Sequence, residues 1–414
     1  MAVKKGFSIL PLFCIVLMDM IGIGIILPIL GPLFLDPSKG IMPEHYSFSA
    51  RTVILGFLIA AYPMAQFFGA PLLGGLSDRH GRKKVLLISL FGTILGYLLF
   101  GYGILIGNIH ILFISRLLDG FTGGNISIAL SSIADISDEK EKARNFGLIG
   151  MAFGIGFIFG PLLGGKLTDS NLVGWFNYAT PLWFAALLSL ANIILLLLVF
   201  RETLSARIES KLSLLTGFRN ISRAFQLSNL RTMFIVIFIL ALGFNFFTQF
   251  FQVFLIDKFH YTESSIGNLF AYIGLWIAVT QGVITRAVSR KFSPKQVIAF
   301  STLLLSFALI MILAPTNSIY LYVVLPFVAI GQGLTYPNST AIISNLADKS
   351  SQGEVMGISQ SMQALAQSVT PVMAGFITLW HLNLPIIISS ILTFVGWLVF
   401  VLFFRKKKKV FVEV

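Results

Sequence analysis

The chain has 414 residues, 56% of them hydrophobic and 11% charged, with 40 phenylalanines and a formal net charge of +13. Soluble domains carry roughly 25% charged residues, so a water-soluble enzyme or binding module is excluded, and a lone Cys14 excludes a disulfide framework. His45, His80, His110, His260 and His381 stand apart with no paired metal spacing, and no Gly-Lys-Ser/Thr phosphate loop occurs, so neither a metal, a cofactor nor ATP is expected.

Apolar runs of about twenty residues recur, each long enough to cross roughly 30 Å of hydrocarbon. Only helices satisfy every backbone amide within such a run. In chain order the first six spans are read at 8–34, 52–73, 85–106, 110–134, 145–167 and 180–200. Six more follow at 232–256, 264–285, 297–314, 318–343, 355–379 and 385–404. The first run is too long for a signal-peptide core and is read as a retained helix. Between the two sets lies the longest polar stretch, 201–231, whose Leu, Ile and Phe recur at helical spacing among basic residues. A surface-lying amphipathic helix is expected there. The expected organisation is a six-helix bundle at 1–200, a cytoplasmic linker at 201–231 and a second bundle with a basic tail at 232–414.

Of the 30 Lys and Arg, 25 fall at the termini and in the even-numbered loops and four on the side of the odd-numbered loops, counting Lys166 at the very end of the fifth span, which leaves Arg116 alone deep inside a span. That asymmetry places both termini and the even loops in the cytoplasm. A bacterial inner membrane is the expected location. A basic chain can also mean nucleic-acid binding, but no soluble domain exists to carry it. The tail "RKKKK" is positioned to meet anionic lipid.

The halves repeat each other. "LSDRHGRKKV" (76–85) aligns with "VSRKFSPKQV" (288–297), "SSIAD" ending at Asp135 with "SNLAD" ending at Asp348, and Pro161 with Pro371. Duplicated six-helix halves of parallel topology are a transporter plan.

Gly75, Leu76, Asp78, Arg79, Gly81, Arg82 and Lys83 fill a short charged turn between spans 2 and 3. That turn resembles the signature of the major facilitator superfamily. "ISRLLDGFTGG" resembles the Arg-containing motif of that family's fourth helix, and "GMAFGIGFIFGPLLGG", with Gly154, Gly160, Pro161 and Gly164, its fifth-helix antiporter motif. "LMDMIGIGIILPIL" is similar to the drug/proton antiporters, particularly the tetracycline-exporter branch. The resemblance implies an all-α membrane protein of twelve helices in two six-helix pseudo-repeats. It further implies a cytoplasmic latch, in which Asp78 faces the helix starting near Val355 and Arg82 meets Asp135. Topology anchoring is the alternative for the basic residues, and for Lys83 and Lys84 it is the preferred one. The chain departs from the tetracycline branch in having no carboxylate within spans 3 and 9. That departure argues against a tetracycline–metal substrate.

Intramembrane charge is costly and rarely idle. Three such residues occur, Asp19, Arg116 and Asp119, the last two at i,i+3. They are read as a proton site, because burial penalises a carboxylate's charge and a nearby guanidinium favours it. A local ion pair that merely lets the helix insert is the alternative. Polar stripes mark a solute cavity: Tyr62 and Gln66; Asn245, Gln249 and Gln252 among Phe244, Phe247 and Phe251; Gln332, Tyr336 and Asn338; and Gln360, Gln363 and Gln367. Interhelical hydrogen bonding competes with that reading. The expected function is proton-coupled export of small amphipathic organic molecules by a monomer, with protons and membrane lipids as partners. Solute import, facilitated diffusion and lipid handling on the same fold are the alternatives.

Overall fold

A computed structural model of the chain describes residues 10–39, 41–136, 139–204, 215–227, 230–314, 317–346 and 352–410. The N-terminal lysines, the linker at 205–214 and Asp348 lie outside the described residues. The first half runs α1 (Leu10–Leu35), α2 (Phe48–His80), α3 (Arg82–Leu105), α4 (Ile109–Thr122), α5 (Asn125–Ile136), α6 (Glu139–Leu167) and α7 (Thr180–Leu198). There follow α8 (Thr216–Gln226), α9 (Arg231–Phe259), α10 (Glu263–Val279), a π turn at Thr280–Ile284 and α11 (Thr285–Ser289). The chain ends with α12 (Pro294–Met311), α13 (Leu321–Leu346), α14 (Gln352–Ile377) and α15 (Leu384–Val410).

Nine helical spans among the described residues are long and apolar enough to cross a membrane. The pair α4–α5, α6 and α14 supply the three further crossings of a twelve-helix, all-α fold. Local chemistry sets several starts. Ser47 Oγ accepts from Ala50 N at 3.2 Å at the head of α2, and Asn108 Oδ1 accepts from His110 N and Ile111 N at 3.0 and 3.3 Å at the head of α4. Ser293 and Gln296 form a capping box at α12.

Two expected boundaries are corrected. The charged run after span 2 is not loop: α2 stays helical to His80, and 33 residues reach about 50 Å. Its polar end therefore projects past the hydrocarbon. Gly75 lies inside this helix, so the turn reduces to Gly81 alone, at φ 100°. The fourth span is not one helix either. It breaks at Gly123 and Gly124, which separate α4 from α5.

The chain divides into two compact units, Met1–Thr216 with Tyr261–Leu275, and Gly217–His260 with Trp276–Val414. In the first unit α1 lies along α6 and α7, while α2 and α3 flank α4. The α1–α6 crossing brings backbone against backbone: a Cβ on Gly160 would sit 2.7 Å from Gly24 Cα, and one on Gly164 would land on the Ile25 carbonyl oxygen. Without a hydrophobic drive inside lipid, such close approach is what holds helices together. Gly160→Val and Gly164→Val are each expected to cost about 1–3 kcal/mol by overpacking. A lowered unfolding midpoint of the purified protein is the check, and an unchanged midpoint would show that the crossing can spread freely.

In the second unit α9 packs on α14 and α15, and α12 on α13 and α15. Small hydroxyls join these helices. Ser301 and Thr335 hydroxyls lie 2.8 Å apart, Ser306 Oγ donates to Ser390 O at 3.0 Å, and Ser389 Oγ to Gly243 O at 2.6 Å. The linker helix α8 belongs here: Asn220 Nδ2 donates to Ser361 Oγ at 3.0 Å, and Ala224 is buried beneath it.

Candidate functional site: a buried ion cluster and a charged turn

Asp19, Arg116 and Asp119 are brought together in the first unit, with relative exposures of 6%, 5% and 2%. Arg116 Nη2 stands 3.2 Å from Asp119 Oδ2, and the guanidinium lies 4.8 Å from the Phe100 ring centre and 5.8 Å from that of Tyr62. Ring faces stabilise a cation that has been taken out of water. The pair is not saturated, since neither Arg116 Nε nor Nη2 makes a well-aligned hydrogen bond among the described residues. The Thr93 side chain on α3 lies beside Asp119. Gly96, one turn along, leaves room for it, because a Cβ there would meet Asp119 Cβ at 2.6 Å. Asp19 sits within electrostatic range of Asp119 and beside the Asn125 side chain at the first position of α5. The hydroxyls of Tyr62 and Tyr97 feel both carboxylates and the guanidinium.

The break in the fourth span organises this cluster. Two non-helical glycines leave carbonyls without their helical partners. Gln66 Nε2 donates to Gly123 O at 2.8 Å, and Ser89 Oγ donates to Thr122 O. Gln66 is thus engaged by the backbone of the break. Thr93, Gly96, Asn125 and the break itself were not readable as site features, because a Gly-Gly pair in an apolar run signals packing as readily as interruption.

The charged turn is a second site in the same unit. Arg82 is buried, with Nε 3.0 Å from Asp135 Oδ2 and Nη1 2.6 Å from both Asp78 Oδ1 and Ser77 Oγ. Thr203 Oγ1 donates to the same Asp135 oxygen at 3.3 Å. Glu202, 120 residues away, caps α3: its carboxylate accepts from Arg82 N at 2.9 Å and Lys83 N at 3.1 Å. A carboxylate at a helix N-terminus satisfies orphan donors and meets the positive dipole end. Lys83 Nζ does the converse for α7, donating to Leu197 O at 3.0 Å and Phe200 O at 2.8 Å. Lys83 is therefore more than a topology anchor, which corrects the sequence reading. Arg79 is half-buried at the end of α2. Gly81→Ala is expected to destabilise on two counts, a positive φ and a Cβ placed 2.6 Å from Glu202 Oε2. Glu202→Ala should cost about 1 kcal/mol as a lost cap. In a chemical-denaturation series, Glu202→Gln should retain part of that loss, and equal stability of the wild type and both Glu202 variants would remove the cap from the account.

The Major Facilitator Superfamily model matches residues 12–290 and again 233–411. The chain belongs to that superfamily. It is 30% identical to the class E tetracycline resistance protein of Escherichia coli over 366 residues, 88% of this chain and 86% of that protein. To multidrug resistance protein 2 of Bacillus subtilis (strain 168) it is 28% identical over 382 residues, 91% of this chain and 90% of that one. Among solved structures it is similar to the human organic anion transporter MFSD10 (TETRAN), with a TM-score of 0.74 at 23% identity over 95% of this chain and 98% of that one. That last likeness bears on the fold alone.

The superfamily member's second unit holds the remaining polar stripes, and they are unequal. Asn338 is buried and turns back on its own helix, Nδ2 to Leu334 O at 2.7 Å. Gln252 is buried, and Phe247 and Phe251 are fully buried neighbours with ring centres 4.7 Å apart. Phe247 and Phe251 thus belong to the core of this unit, and Asn245 and Gln249 beside them are half-buried. On α14 and α13 the stripe is open. Gln360 and Tyr336 are exposed, Gln332, Gln363 and Gln367 half-buried, and Gln363 lies beside the Tyr336 side chain. On α6, Gly154, Gly160, Pro161 and Gly164 are all buried.

Proposed function

We propose that this chain exports small amphipathic organic molecules in exchange for protons, by alternating access. The observation that carries the reading is the buried ion cluster, where Arg116 pairs with Asp119 and a second carboxylate, Asp19, lies within electrostatic range of Asp119. One negative charge is left over, and only a proton or a cationic group can neutralise it without water. Asp19 and Asp119 are assigned as proton carriers, and Arg116 as the cation whose partnership changes with their charge. Gln360, Gln363, Gln367, Tyr336 and Gln332 are assigned to the solute, and the charged turn from Gly75 to Arg82 with Asp135 to the cytoplasmic end of the cycle. Relatives named for resistance to tetracycline and to multiple drugs support outward transport, as does the Gly-Pro pattern of α6.

We assign the chain as a monomer in a bacterial inner membrane; the loop charge asymmetry supports both termini lying in the cytoplasm, where the basic tail is positioned to meet anionic lipid. Single-cysteine labelling of intact cells should then reach position 45 and miss position 80. The function itself is tested in proteoliposomes holding a pH gradient, by adding lipophilic amines and other amphipathic drugs. Dissipation of the gradient by a subset of them, dependent on the protein, is the expected result. Protein-dependent solute movement that leaves the gradient untouched would move import or facilitated diffusion ahead.

A further inference from the structure

The linker helix α8 presents three different faces. Gly217 and Ala224 are buried, and Ile221 and Leu227 pack with Ala224 against the core around Met233 and Phe234. Beside that face stand Phe218 and Phe225, seven residues apart and each 51% exposed. At about 100° per residue the next face carries Arg219 and Arg223, at i,i+4, both exposed. No residue of α8 is acidic. We propose that this surface of α8 is a binding site for an anionic phospholipid, with Arg219 and Arg223 taking the phosphate group and Phe218 and Phe225 lying among the acyl chains.

Place, rigidity and chemistry support the assignment. Leu230 N and Arg231 N both donate to Leu227 O, at 3.0 and 2.7 Å, so a single tight turn joins α8 to α9. α9 is long and apolar enough to cross a membrane, and α8 is therefore fixed where that span meets the bilayer surface. The helix is also pinned from the side. Asn220 Nδ2 donates to Ser361 Oγ at 3.0 Å, and Ser361 Oγ donates to Gly357 O at 3.0 Å, both on α14. The site is thus formed before any lipid arrives. Guanidinium groups on successive turns are neighbours, and each matches the oxygens of a phosphate with two parallel donors. Arg223 Nη1 donates to Gln226 Oε1 at 3.4 Å, a long bond between exposed side chains that a charged phosphate oxygen can replace. The phenylalanines decide between a lipid and a free anion. A soluble phosphate would leave two half-exposed rings in water, whereas acyl chains cover them while the headgroup meets the arginines.

The test uses the full chain in nanodiscs with Cys14→Ser and Ser222→Cys, since Ser222 is exposed and lies between Phe218 and Arg219 around the helix. A bimane label at residue 222 is quenched by lipid brominated on its acyl chains, supplied as phosphatidylglycerol or as phosphatidylcholine at equal fractions. Phosphatidylglycerol should quench more strongly, with an enrichment of about fivefold for each arginine. Arg219→Gln with Arg223→Gln should make the two lipids equal while both still quench, and the paired Lys variants should keep part of the preference. Phe218→Ser with Phe225→Ser should lower quenching by either lipid. All four side chains are exposed, so the thermal midpoint of each variant should match that of the labelled parent. Equal quenching by the two lipids in the parent, or a preference that survives the paired Gln variant, would overturn the proposal and leave the arginines as topology anchors. Absence of quenching by either lipid would overturn it as well, because α8 would then face water or another protein. Loss of the preference on adding inorganic phosphate at constant ionic strength would replace the lipid by a soluble anion.

Discussion

Asp19→Asn is expected to abolish uphill transport while leaving downhill solute exchange in place. A pH difference of one unit supplies about 1.4 kcal/mol per proton, enough to sustain roughly a tenfold solute gradient at one-for-one exchange. That free energy reaches the solute only if proton and solute favour different states of the protein, because a ligand indifferent to the states shifts nothing. Asparagine keeps the shape of the carboxylate and removes the charge that a proton would neutralise. The sustained gradient should therefore fall from about tenfold to unity, while counterflow of labelled solute against unlabelled solute continues. Asp119→Asn is expected to act in the same direction, with an added loss of the partner that holds Arg116. Proton flux and counterflow measured together on reconstituted vesicles distinguish a lost coupling from a lost fold. If both variants still accumulate solute against a gradient, the buried carboxylates are not the coupling groups.

The charges of this site were legible in the sequence and their wiring was not. Asp19, Arg116 and Asp119 stand out because an ionisable residue in an apolar run is rare, and the i,i+3 spacing already puts Arg116 and Asp119 on one face. Glu202 could not be placed, since nothing local says that a carboxylate after the sixth span returns to cap a helix 120 residues earlier. Thr93 and Gly96 read as ordinary residues of an apolar helix, and only the α3–α4 crossing makes them a seat for Asp119. On α9 the spacing left the faces unassigned. Its Phe and amide residues recur at helical spacing, but spacing alone does not say which face meets protein, and Phe247 and Phe251 meet protein on all sides. Interhelical hydrogen bonding fell mostly to Ser and Thr instead, whose short side chains allow backbones to approach before they bond.

Arg116→Ala is expected to be more damaging than the loss of both partners. Removing the guanidinium leaves Asp119 at 2% exposure beside the Thr93 side chain, with no counter-ion among the described residues in salt-bridge contact. Breaking one side of a buried pair costs about 3–5 kcal/mol, because the surviving charge has neither water nor a counter-ion. A stability of 5–15 kcal/mol is typical of whole domains, so the single variant should show a sharply shortened half-life in detergent and a low membrane yield. Arg116→Ala with Asp119→Asn removes both charges and should recover most of that loss while remaining unable to pump uphill. Arg116→Lys keeps the charge but not the planar group that lies over Phe100 at 4.8 Å. It should fold nearly normally and transport poorly, which assigns the loss to geometry rather than to charge. Thermal midpoints of the three variants, set beside their counterflow rates, decide the matter. An Arg116→Ala protein as stable as the wild type would mean that Asp119 is already held neutral, and the exchange of partners assigned to Arg116 would have to be given up.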